Sequence, residues 1–108
     1  MSTAADHREL AEELRTAVSR GLDPGATADA MRIGAGGEAD LAPPYAELAR
    51  TIGAASYRVT DEQVAAARQR AGSDRGAFEV VMSAGIGAAL RRWDAAIRAI
   101  DEAGDAAR

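Results

Sequence analysis

Glu47, Tyr57, Arg58 and Thr60 are the residues of this chain whose types and spacing suit chemistry. Tyr57 offers a hydroxyl that can donate a hydrogen bond to a ligand. Thr60 opens the run "TDEQVAAARQRAG", which reads as a helix; with Arg58 and the free N–H groups of a helix start it would form an anion site. Glu47, one segment earlier, would act as a general acid or base if buried beside Tyr57. Each has a plainer reading. Thr60 is an N-cap whose helix dipole is already met by Asp61 and Glu62. Tyr57 packs against a neighbouring helix with its hydroxyl at the surface, and Glu47 is a solvated helix glutamate.

The remaining chemistry-bearing residues are sparse. His7 is the single histidine and lies in the first turn of a helix, so it cannot build a metal site, and no Asp/Glu group has ligand spacing. No metal or cofactor is expected. Arg91, Arg92 and Arg98 beside Trp93 form a basic group that could contact an acidic ligand, unless Asp94 pairs with Arg98 at i, i+4 and Trp93 is buried in the core or an interface. The stretch "MSAGIGAAL" lacks the lysine of a phosphate loop and falls mid-helix, so its glycines are expected to admit another helix closely.

Composition limits the classes further. The chain has 108 residues, 47% of them hydrophobic and 28% charged, the balance of one soluble domain spanning 1–108. Aromatics make up only 4%. Alanine is the commonest apolar residue and removes little surface when buried, so a monomer should be marginally stable and an oligomer is expected. The net charge of −4 argues against a nucleic-acid partner, which would require a cationic surface. There is no cysteine, hence no disulfide and no thiolate nucleophile or ligand. No signal-peptide pattern precedes His7 and no apolar run approaches the ~20 residues that span a bilayer, so neither a membrane partner nor a secreted location is expected, and cytoplasmic is the default.

The elements that must position these residues are helices. Leu10, Leu14, Ala17 and Val18 mark a first helix over 6–20, stopped at Gly21 with Leu22 folding back as in a Schellman motif. Asp23 caps and Pro24 opens a short second helix through Ile33. "GAGGEAD" is a loop by composition. Pro43 and Pro44 open a third helix carrying Tyr45, Leu48, Ile52 and Ala55 on one side. Thr60 and Gln63 form a capping box at the head of the fourth, and Gly72, Ser73 and Asp74 break it. The last helix, about 75–102, is long. Phe78, Met82, Gly85, Ala89, Trp93, Ala96 and Ile100 trace one stripe along it, widened by Val81, Ile86, Leu90 and Ile97. No segment alternates with period two and no repeat is present. The expected fold is all-α, a bundle of about five helices with a long C-terminal one.

With those elements in view, "YRVTDEQVAAARQRAGSDRGAFEVVMSAGIGAALRRWDAAIRAI" resembles the carboxymuconolactone decarboxylase and AhpD-like alkylhydroperoxidase superfamily. The resemblance runs from Tyr45 to Ile100. It rests on a helix ending at Gly72, the polar turn "SDRGAFE", the small-residue helix "VVMSAGIGAAL" and the late Arg91–Arg92. In redox-active members the helix before that glycine begins C-x-x-C with a histidine four residues on. Counted back from Gly72, those positions fall on Tyr57, Thr60 and Val64, none of which can do that chemistry. The family's relay glutamate finds its nearest counterpart in Glu47, with Tyr45 closer to the ungapped position.

The resemblance thus implies an AhpD-like fold built from trimers, with the final helix at the interface, and argues against a peroxidase. It leaves three readings. The first is a non-redox oligomeric scaffold or binding protein. The second is a decarboxylase-like enzyme using Glu47, Tyr57 and Arg58 in acid–base chemistry on a small carboxylate or lactone. The third is a small-ligand binder with an inter-helix pocket.

Overall fold

The computed structural model describes residues 4–107 and contains, among them, helices and no strand. The helices are α1 (Ala4–Val18), α2 (Pro24–Gly34), α3 (Pro43–Ala55), α4 (Asp61–Ala71) and the 33-residue α5 (Asp74–Ala106), with a 3₁₀ turn at Ser56–Arg58 between α3 and α4. The all-α expectation, five helices with a long last one, is what forms.

Local chemistry explains most of the boundaries. Asp23 accepts from the Ala26 N–H at 3.1 Å and Pro24 takes the first helical position of α2. The Thr60–Gln63 capping box closes in both directions, each bond 3.1 Å. Gly72 ends α4 at φ 75°, the left-handed conformation that glycine adopts without strain. Ser73 then caps α5 through the Gly76 N–H at 3.0 Å.

One expected stop forms elsewhere. The Schellman pattern lies after α2, where Gly36 at φ 91° donates to Ile33 O and Gly37 donates to Arg32 O, both at 2.9 Å. Gly21 does not take a positive φ, and Leu22 is exposed rather than folded back. The Thr16 and Ala17 carbonyls accept locally from the Ser19 and Arg20 N–H groups, each at 3.1 Å, and two further bonds at this end come from a distance. The buried Thr27 hydroxyl donates to the Val18 carbonyl at 2.7 Å, and the Leu22 N–H donates to Glu79 Oε2 of α5 at 2.7 Å.

The core is built on close backbone approach rather than on large side chains. α2, α3 and α5 pack against one another, α2 most extensively against α5. A Cβ on Gly34 would strike the Ala84 carbonyl, one on Gly87 the Met31 carbonyl, and one on Gly53 the Gly34 carbonyl. Around these crossings Ala30, Ala49, Ala67 and Ala84 are fully buried, with Leu48, Ile33, Val80, Ile52 and Tyr45 filling the remaining space. A buried methyl contributes only about 0.8 kcal/mol, so this core depends on fit more than on volume.

α5 outruns the core. From Arg91 to Ala106 every residue but the half-buried Ile97 is exposed, and the molecule measures 54 × 26 × 23 Å. Its radius of gyration of 15.5 Å exceeds the ~13 Å of a compact domain of this length. α1 runs beside the overhang. It buries Ala11 and Val18, and His7 meets Trp93 edge to face with ring centroids 5.0 Å apart. No helix among the described residues is long and apolar enough to cross a membrane.

Candidate functional site

The head of α4 is where the sequence concentrates its candidate chemistry, and Gln63 organises it. Its Oε1 accepts the Thr60 N–H, and its Nε2 reaches back to α3, 3.0 Å from Thr51 Oγ1 and 3.4 Å from Glu47 Oε1. The Thr51 hydroxyl in turn donates to the Glu47 carbonyl at 3.0 Å. Glu47 is therefore brought to the helix head, but as an exposed carboxylate at the edge of a capping network.

Tyr57 does not join it. The 3₁₀ turn leaves its ring 82% exposed, with the Arg58 guanidinium 5.7 Å from the ring centroid. Glu47, Tyr57 and Arg58 are all exposed and line neither of the two clefts described below. Val64 is half-buried and packs on the core with Val59. Tyr45 is buried in that core, with the Arg70 guanidinium 5.8 Å from its ring centroid. Thr60 accepts the Gln63 N–H, and Asp61 and Glu62 occupy the first turn, so the positive end of α4 already faces carboxylates. Among the described residues no cluster of His, Asp or Glu has the makings of a metal site.

Two other places carry more shape. A cleft of about 310 Å³ between α1 and α5 has an almost wholly apolar wall that includes Leu10, Leu14, Ala89 and Trp93. Beneath the overhang of α5, a second cleft of about 450 Å³ brings together Arg15, Arg32, Arg91 and Arg98 with the single carboxylate of Asp94, over a floor of Met31 and Leu90. Asp94 faces Arg15 of α1, Nη2 to Oδ2 3.7 Å, in place of the i, i+4 pair with Arg98. Arg32 is partnered at long range by Asp29, 3.9 Å away. Arg92 stands apart from this group and donates to the Gly53 carbonyl at 3.3 Å. Sequence spacing along one helix points to Arg91 and Arg98 but not to Arg15 and Arg32, which tertiary packing delivers from α1 and α2.

The third feature is the outward face of α5. Phe78, Met82, Trp93 and Ile100 are exposed by 38–65%, and Leu10 and Leu14 of α1 flank them. The buried side of the same helix carries Ala77, Val80, Ser83, Ala84, Gly87, Ala88 and Leu90. Apart from Val80 and Leu90, small residues thus face in, while Phe78, Met82, Trp93 and Ile100 face out. No protein-family model, curated protein or solved structure matches the chain.

Proposed function

We propose that this chain is a non-redox, AhpD-like helical scaffold that acts by self-association, with its outward α5 face as the contact surface. The observation that carries the reading is the inversion along α5, where Ala84 and Gly87 are buried while Phe78, Met82 and Trp93 stand in solvent. Exposed side chains of that size on one face of α5, with Leu10 and Leu14 of α1 beside them, are the feature that supports an interaction surface. The absence of cysteine supports the non-redox part, since nothing in the chain can cycle as a dithiol does. The exposure of Tyr57 weighs against acid–base catalysis at the head of α4. Sedimentation equilibrium tests the reading: an assembly heavier than 11.2 kDa at micromolar concentration is expected, and a clean monomer would sink it.

A second reading, binding of a small carboxylate, is favoured by one observation of its own. Of the four arginines in the cleft under α5, Arg15 pairs with Glu12 and Asp94 and Arg32 pairs with Asp29, whereas Arg91 and Arg98 close no ion pair among the described residues and make a local cationic site on an otherwise acidic chain. Guanidinium pairs grip carboxylates in a fork, and the apolar floor of Met31 and Leu90 suits a short carbon skeleton. This ligand site is separate from Glu47, Tyr57 and Arg58.

A further inference from the structure

The outward stripe of α5 has a spacing that reads the same from either end. Ala89 is its midpoint. Gly85 and Trp93 lie four residues to either side, Met82 and Ala96 seven, Phe78 and Ile100 eleven. At about 100° per residue all seven fall within an arc of about 80°, and none carries a charge. The steps between them repeat every eleven residues, which keeps the row on one side of a nearly straight helix with a slight right-handed coil, not the left-handed coil of a heptad.

A palindromic row is what a helix needs to pair with an antiparallel copy of itself, because a two-fold axis maps each position onto its mirror. The sizes agree with that mapping. Trp93, the largest member, falls opposite Gly85 of the second chain, where an added Cβ would meet nothing within 4 Å. Met82 falls opposite Ala96, Phe78 opposite Ile100, and the two Ala89 residues meet on the axis. The two inner pairs, Trp93 with Gly85 and Met82 with Ala96, set large against small, which is how facing helix layers interdigitate without voids, while Phe78 and Ile100, both large, meet at the ends of the row. A parallel pairing would instead set Trp93 against Trp93 and Gly85 against Gly85.

The chain exposes 7108 Å², about 1,400 Å² more than the ~5,700 Å² of a compact monomer of its mass, an excess spread over the whole surface of which the overhanging α5 is part. A stable interface takes about 800 Å² from each partner. From the α5 geometry we infer that the partner on this face is a second copy of the chain, docked antiparallel along α5 about a two-fold axis through Ala89, with Leu10 and Leu14 of α1 closing one side of the seam. The inference rests on the self-association reading and adds to it an orientation and a register. It replaces three-fold contacts on this face by two-fold ones.

Single cysteines test it cleanly because the chain has none of its own. Ala89→Cys is expected to form an intermolecular disulfide under mild oxidation. Ala96→Cys alone is expected to stay unlinked, since its mate would lie about 21 Å away along the axis. A mixture of Met82→Cys and Ala96→Cys chains is expected to link across. Ala89→Arg, at an exposed position, should keep its helical circular dichroism while weakening association at least about 100-fold, because two unpaired cations would be buried at the axis. If the wild type associates but Ala96→Cys links to itself as readily as Ala89→Cys, or Ala89→Arg still associates, the two-fold register is wrong and self-association stands. If the wild type is a monomer, both fail and the face belongs to a different partner.

Discussion

Gly87 of α5 lies against the carbonyl of Met31 in α2 with no room between them for a Cβ. This contact sets how closely the two helices approach, and it sits beside the equally tight meeting of Gly34 with Ala84. The pair divides the two glycines of "AGIGA" into different roles, because Gly85, two residues earlier, is open to solvent on the other side of the same helix.

Gly87→Ala is expected to destabilise the fold by about 3 kcal/mol, since the added methyl must push backbone atoms apart. Gly85→Ala meets nothing and replaces a poor helix former by the best one, so the isolated domain should gain about 0.5–1 kcal/mol. Urea unfolding of both variants, at protein concentrations low enough to keep the chains apart, checks the contrast. Equal effects of like sign would mean that the α2–α5 crossing is looser than the glycine contact requires.

What the sequence makes legible follows from range. Asp23, Thr60, Gln63 and Gly72 act on backbone groups within a few residues, and their caps are readable directly from residue order, whereas Ser73, read there as part of a break, caps α5. The tie between the end of α1 and the rest of the fold is not, because the Val18 carbonyl is held by Thr27 and the following Leu22 N–H by Glu79, 57 residues away from Leu22. The Gln63–Glu47 contact, sixteen residues apart, needs the α3–α4 packing before it can be seen. α5 illustrates a different obstacle. Both of its sides are apolar, so periodicity shows two faces without saying which one turns inward. Close approach to α2 selects the glycine and alanine side, and the Phe–Met–Trp stripe is left outside by exclusion.

No turnover of an alkyl hydroperoxide is expected. A peroxidatic cycle at the head of α4 would need a thiolate, a resolving thiol and a proton shuttle, whereas Tyr57, Thr60 and Val64 stand there. Purified, metal-free protein given a hydroperoxide and a dithiol reductant should match a heat-inactivated control. A rate above that control would overturn the non-redox reading.

Small di- and tricarboxylates are expected to raise the melting midpoint of the wild type through the cleft under α5. A ligand at a hundred times its Kd adds about 2.7 kcal/mol to stability. The Arg91→Gln, Arg98→Gln double variant should lose most of that rise. Its ligand-free midpoint should barely move, because both side chains are exposed and neither closes a described ion pair. An undiminished rise in the variant, or a rise abolished by changing Glu47 to Gln, would move the site elsewhere.

The head of α4 provides the last test, because its residues divide into one that holds structure and one that does not. Thr60→Ala removes the acceptor for the Gln63 N–H and one half of the capping box. Such a loss costs about 1 kcal/mol, which in a domain of this size lowers the melting midpoint by about 4–8 °C. The effect should extend to α3, since Gln63 also holds Thr51 and Glu47, and an uncapped helix start lets its side chain wander. Tyr57→Phe keeps the ring beside Arg58 and deletes only a hydroxyl that faces solvent, so it should leave the midpoint unchanged within error. Thermal melts of wild type and both variants, repeated with small carboxylates and lactones, separate a structural helix head from a working one. If a lactone stabilises the wild type and Thr60→Ala but not Tyr57→Phe, the exposed tyrosine is a ligand contact and the scaffold reading of this helix head is wrong.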